Sequence, residues 1–238
     1  MNVRRVPPAA ILLGGVWLAL SCSSASAAGW KGAESAGWEE RVAGRWNSLP
    51  EASVTAGDGD FRATIELSPG TGVLWRKKVE GEPPSGEPLA IEMTCSGTNS
   101  SSRDYDRYAS HLPLAVTAVF GKDFVDIPWK KRIVAFFRGL WRGRSTSGIR
   151  LTFACGNTVP VGSMYRRGEG ETVFILASAE ERGKEIRSVR NLANDFRAAY
   201  GREPRGSLTG ILVSAERPSK ETGPLKVELR LSSPLLKR

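Results

Sequence analysis

Histidine is nearly missing from this chain. His111 is the only one in 238 residues, and cysteine and methionine stand at three each. No nucleophile can be assigned to His111 from the sequence, and the G-x-S-x-G, H-E-x-x-H and Ser-x-x-Lys patterns are all missing. A catalytic triad or a zincin site therefore has no support. Outside the N-terminal leader only Cys95 and Cys155 remain, and two cysteines with one histidine make a poor zinc site. No metal or other cofactor is expected. Gly57-Asp58-Gly59-Asp60 offers two carboxylates, but calcium takes about 6 to 8 oxygen ligands, so a hairpin turn is the simpler reading. Carboxylate pairs for glycoside hydrolysis need no fixed spacing along a chain. An envelope enzyme acting on glycans thus stays open as a rival reading. The chain also lacks internal repeats, low-complexity tracts and any linker that would divide it.

Acidic residues are missing from one long span. From Ile127 to Gly168 there is no Asp or Glu, while Lys130, Lys131, Arg132, Arg138, Arg142, Arg144, Arg150, Arg166 and Arg167 all fall there. Asp126 and Pro128 suit a helix start. At about 100° per residue, Trp129, Ile133, Val134, Phe136, Phe137, Leu140 and Trp141 fill one face of a helix from Asp126 to Trp141. Lys131, Arg132, Arg138 and Arg142 fall opposite. A basic helix with large aromatics is the pattern of an interfacial membrane segment. More often such a helix is simply docked to a core, with its charges in solvent.

What is present begins with a leader. Asn2 to Arg5 form a positive n-region, an apolar stretch is densest from Ala9 to Leu20, and Ala25-Ser26-Ala27 is a cleavage signal. Residues 1–27 read as a signal peptide, 28–54 as an N-terminal segment and 55–238 as the folded domain. The apolar stretch is short for a membrane span of about 20 residues, so none is expected in the mature chain. Leu18-Ala19-Leu20-Ser21-Cys22 loosely fits a lipoprotein box, which makes lipidation of Cys22 a minor alternative. Cleavage removes Arg4 and Arg5 and takes the formal charge from +9 to +7. A moderately basic exported protein tends to adsorb to anionic surfaces.

Export also bears on Cys95 and Cys155, since an isolated pair in an oxidising space often forms a bridge. Both end apolar runs, Leu89 to Cys95 and Ile149 to Cys155, so both fit strand ends. Two buried thiols too far apart to join are the alternative.

Strand patterns dominate the rest. Phe61 to Leu67 and Leu225 to Leu231 alternate apolar and polar residues, as half-buried strands do. Gly72 to Val79, Leu114 to Phe120, Thr172 to Ala177 and Leu208 to Ala215 are further strands, and Ser96 to Tyr108 is a polar loop. Trp38, Val42 and Trp46 recur at i+4, which predicts a short helix. Ser178 opens a capping box, and the spacing of Ile186, Val189, Ala193, Phe196 and Tyr200 predicts a helix from Ala179 to Tyr200. The fold class is mainly β: an antiparallel β-sandwich with two peripheral helices.

Three segments resemble a bacterial family known as "domain of unknown function 3047". Arg190 to Pro204, RNLANDFRAAYGREP, is similar to that family's RN-x-x-x-D-[YF]-R-x-[AF]-[FY]-G-x-E-P helix and turn. Gly156 to Ser163, GNTVPVGS, is similar to its G-N-x-x-P-V-G-[ST] loop, and Gly70 to Arg76 is a looser match to a third motif. The resemblance implies an exported, single β-sandwich domain of jelly-roll kind, and no known activity. The family's acidic T-D-x-D-N-T stretch is replaced here by Ser214 to Ser219, SAERPS, so no metal or ligand role is carried over from it.

These readings converge on a non-catalytic binding domain of the cell envelope, periplasmic or secreted. Its expected partner is an anionic envelope component: a polysaccharide, a lipid head group or an acidic protein. Lys130, Lys131, Arg132, Arg138 and Arg142 would supply charge, with Trp129 and Trp141 giving apolar contact. A scaffold or assembly role is a third reading. Nucleic acid suits the same residues, but export disfavours it and no recognised nucleic-acid fold signature is present.

Overall fold

Alternation decides the inner strands. Along Asp60–Leu67 (β3) every second side chain is buried, and Leu225–Ser232 (β12) repeats the pattern. A pleated strand sends successive side chains to opposite faces, so each strand has one core face and one wet face. The structure is a computed structural model that describes residues 33–42, 48–79, 87–105, 111–121, 148–168 and 170–237. The remaining strands in chain order are Trp38–Val42 (β1), Glu51–Ala56 (β2), Thr71–Lys78 (β4), Pro88–Cys95 (β5), Ala115–Phe120 (β6), Ile149–Cys155 (β7), Met164–Arg166 (β8), Glu171–Ala177 (β9), Glu185–Asn191 (β10) and Leu208–Arg217 (β11).

They form two sheets. The larger has the order β1-β4-β11-β6-β7-β9-β8, and the smaller β10-β5-β12-β3-β2. Neighbours run antiparallel except β7 and β9, which are parallel. The sheets face each other over one core, with Trp75, Phe120, Phe153, Val213 and Ile211 from the larger meeting Phe61, Ile65, Ile91, Met93 and Leu229 from the smaller. Trp38 closes one edge by packing on Phe61 at 4.1 Å between ring centroids.

β6, β7 and β9 read as nearly continuous apolar runs because both of their faces are covered. Ala115, Ala154, Val173 and Ile175 point away from the main core and build a second cluster with Leu112 and Val159, against which Tyr165 packs. The exposed face of the smaller sheet is instead polar and charge-balanced, with Lys226 opposite Glu66 and Arg230 beside Glu92.

Two expected helices are corrected. Trp38–Val42 is a strand, because its backbone pairs with β4 and Trp38 reaches the core. The stretch from Ala179 to Tyr200 divides into three pieces. The capping box at Ser178 is present but closes only a 3-10 turn, Ala179–Glu181. Gly183 then takes φ +72°, a conformation that L side chains rarely adopt. Glu185–Asn191 pairs with β5 over its whole length, so sheet pairing overrides helical spacing. Only Leu192–Tyr200 (α1) is helical, capped by the Asn191 side chain and ended by Gly201 at φ +70°. The segment assigned before residue 55 also contributes two sheet strands, β1 and β2. The helix expected from Asp126 to Trp141 lies outside the described residues, as does the leader with Cys22.

The Arg190–Pro204 motif has a packing role. Arg190 lies over the rings of Phe153 and Phe174, at 5.1 and 5.3 Å, and is paired with Asp195. Phe196 is fully buried against Phe120. Tyr200 donates its hydroxyl to the Arg150 carbonyl at 3.1 Å. These contacts fasten α1, and Arg190 ahead of it, to β6, β7 and β9 of the larger sheet.

Candidate functional site

The bridge is formed. Cys95 and Cys155 are joined across the two sheets, with Cα atoms 6.8 Å apart. Both cysteines end their strands at the same end of the sandwich, so the loops that leave them, 96–105 and 156–163, start side by side.

Buried polar groups knit these loops together, and each needs a partner because water is excluded. Asn99 is fully buried, and its backbone N–H donates to Asn157 Oδ1 at 2.7 Å. Its Nδ2 donates to the carbonyls of His111 and Glu216, both at 2.8 Å. Arg217 donates to Asn99 Oδ1 and to the carbonyls of Thr222 and Gly223. Burial holds the Arg217 guanidinium below its ordinary value.

Asp104 is the centre of the other loop. It is 1% exposed. Its Oδ2 accepts from the backbone N–H groups of Asn157, Thr158 and Val159 at 2.8, 2.8 and 3.1 Å, and Oδ1 accepts from Asn157 Nδ2 at 2.6 Å. A carboxylate therefore folds the GNTVPVGS segment around itself, which explains why that loop needs Asn157 next to Gly156. Glu221 does the same for the first loop, accepting from Ser101 N at 2.6 Å and Ser100 Oγ at 3.0 Å. Burial alone would raise the Glu221 pKa, yet these hydrogen bonds outweigh it and hold the carboxyl below the usual range.

The outer face of the larger sheet adjoins this end. His111 Nδ1 lies 3.1 Å from Glu216 Oε2. In the β8–β9 hairpin Arg167 Nε donates to Glu171 Oε2 at 3.1 Å, and Thr152 Oγ1 donates to Glu171 Oε1 at 2.8 Å. Burial opposes ionisation of Glu171, but Arg167, Arg150 and Thr152 together hold its carboxyl below the ordinary value of 4.5. A lowered folded pKa adds stability above the unfolded value, and this is lost as pH falls through the folded one. Glu171→Gln is expected to lower stability at neutral pH by about 2 kcal/mol, since Arg167 loses its partner in a mostly buried place. Its deficit should shrink as the parent is acidified below about pH 4. Urea unfolding at both pH values checks this, and a deficit independent of pH would refute it.

The same hairpin presents Tyr165 to Tyr105, with ring centroids 4.9 Å apart and an edge-on geometry. Tyr105 is 66% exposed. It borders an open depression of about 510 Å³ lined also by Ser102, Arg103, Asp104 and Thr158. Val161 and Met164 stand exposed on the neighbouring turn and strand. The exposed Tyr105 ring thus shares the depression with Arg103 and Thr158.

The sequence-derived ligand residues Trp129, Lys130, Lys131, Arg132, Arg138, Trp141 and Arg142 lie outside the described residues. The sequence marks Arg103, Asp104 and Tyr105 only as part of the polar loop from Ser96 to Tyr108. The signal that points to them is the bridge, since polar residues following both Cys95 and Cys155 must converge once the cysteines are joined. Among the described residues no group of three or more His, Cys, Asp or Glu is placed to hold a metal ion, and no helix is long and apolar enough to cross a membrane.

No family model matches the chain. No curated protein matches it either. Among solved structures the chain is similar to the catalytic domain of Humicola grisea Cel12A, solved with a soaked thio cellotetraose. The identity is 11% and the TM-score 0.46, covering 83% of this chain and 92% of that one. It is also similar to the endoglucanase Cel12A from Rhodothermus marinus, at 10% identity and TM-score 0.39, covering 82% and 96%. A third is the enzymatically active domain of bacteriophage CBA120 tailspike protein 4, at 8% identity and TM-score 0.33, covering 83% and 19%. Overlaps this loose carry no argument about activity.

Proposed function

We propose that the protein is an exported, non-catalytic glycan-binding domain of the cell envelope. The observation that carries this reading is Tyr105, a ring left largely in solvent beside Tyr165, at the edge of a depression lined also by the exposed side chains of Arg103 and Thr158. A tyrosine offers an apolar face with a polar tip. A pyranose ring has the complementary form, with C–H groups on its faces and hydroxyls around its edge. A few polar groups beside an apolar surface are what a saccharide needs for orientation.

The carboxylates support binding over hydrolysis. Glycoside hydrolysis needs one carboxyl kept protonated by a raised pKa, facing a second across the bond. Here Glu171 and Glu221 are held below the usual range, and Asp104 is spent on loop amides. Export is supported by the leader and by a bridge of the kind that persists in oxidising compartments. Membership of the "domain of unknown function 3047" family belongs to the same reading, and rests on the three sequence motifs.

Co-sedimentation with purified envelope polysaccharide tests it. Tyr105→Ala is expected to weaken retention by about tenfold, equal to about 1.4 kcal/mol, with an unchanged melting temperature. The comparison variant is Arg138→Glu/Arg142→Glu. If this variant abolishes retention while Tyr105→Ala leaves it intact, the binding surface is the basic segment and the Tyr105 site is wrong.

A further inference from the structure

We infer that the ligand is an acidic glycan, and that Arg103 takes the carboxylate of the sugar whose ring lies on Tyr105. This rests on the glycan reading and adds the charge of the ligand to it. Arg103 is exposed, lines the depression, and has no hydrogen-bond or ion-pair partner among the described residues. The nearest acid in sequence, Asp104, does not neutralise it. That carboxylate is turned inward and covered by three backbone N–H groups and an amide. Glu221 is occupied by Ser100 and Ser101, and Glu216 faces His111. Among the described residues the rim thus presents a cation beside three acids, Asp104, Glu216 and Glu221, that are committed elsewhere.

Its chemistry selects the ligand. A guanidinium is a planar fork that matches a carboxylate in two parallel hydrogen bonds. Arg103 and Tyr105 line one depression two residues apart, so a single sugar can meet both. The mature chain, at +7 once Arg4 and Arg5 leave with the leader, favours approach of a polyanion over long range.

The test uses the mature protein and two probes. One is polygalacturonate. The other is the same polymer after its carboxyl groups have been reduced to hydroxymethyl groups. Affinity electrophoresis is expected to show at least about tenfold weaker binding of the reduced polymer, roughly the loss of one charge-assisted contact. Arg103→Ala should bring the acidic polymer down to that level and leave the reduced one unchanged. Arg103→Lys should recover only part, because it restores charge without the fork. Equal binding of both polymers, or no effect of Arg103→Ala, overturns the acidic ligand. In that case a loss with Tyr105→Ala still sustains the glycan reading. If the parent binds neither polymer, both readings fall.

Discussion

Cys95→Ser combined with Cys155→Ser is expected to lower the unfolding free energy by about 4 kcal/mol, the chain-entropy value for a closed loop of this size. The bridge spans 60 positions of sequence. It also cross-links the two sheets beyond their backbone connections, joining β5 of the smaller to β7 of the larger. The loss should be uneven. Both loops of the candidate site leave from the bridged residues, so amides of Asn99, Asn157, Thr158 and Val159 should exchange faster in the variant. Amides in β3 and β12, deep in the smaller sheet, should remain protected until global unfolding. Denaturant unfolding gives the total and hydrogen exchange gives the distribution. A fall under about 1 kcal/mol, or uniform loss of protection, would show that the bridge does not organise that end.

The second large effect is expected at Asp104. Asp104→Ala leaves the backbone donors of Asn157, Thr158 and Val159 without their acceptor in a buried place. An orphaned buried donor costs about 1 to 3 kcal/mol, and some of the three will find water once the loop opens. A net loss of about 3 kcal/mol is the expected result. Asp104→Asn should recover part of it, because its oxygen can still accept from the three backbone N–H groups while its nitrogen faces the Asn157 Nδ2 donor. Polysaccharide retention should fall along with stability, since the Thr158 wall moves away from Tyr105. Arg103→Ala gives the contrast: weaker binding of acidic polymer with stability unchanged. An Asp104→Ala protein as stable as the parent would mean that the loop holds its shape without the carboxylate.

The strands with one wet face were legible in the sequence. Leu225, Val227, Leu229 and Leu231 alternate because β12 lies between two neighbours with its other face in solvent. Ile149 to Cys155 announced a strand but not its setting. Ile149, Leu151, Phe153 and Cys155 alternate toward the main core, but Thr152 and Ala154 are buried on the other face, so no polar alternation marks a wet side. The Ala179 to Tyr200 helix failed for a different reason. Ile186 and Val189 are three apart, which suits a helix, yet they lie on an edge strand where Val189 is 72% exposed. At an edge the outer face needs no apolar pattern, so the spacing carried little information. The site was the least legible part. Asn99 touches Asn157 and Arg217, 58 and 118 positions away, and only the folded chain brings such residues together. The cysteine pair was the one visible clue to that convergence.

The strand order has a consequence for how the molecule assembles. β11 lies between β4 and β6, and β12 between β5 and β3. β11 and β12, which follow all the other described strands in sequence, are therefore the shared neighbours that join the halves of both sheets. Until residues 208–232 emerge, β4 and β6 lack their shared neighbour, and so do β3 and β5. Without them β1 can pair with β4, β2 with β3, β5 with β10, and β6, β7, β9 and β8 with one another, but these pieces cannot join into two sheets. Closure of the whole sandwich thus waits on one stretch, residues 208–232, whichever pieces pair first.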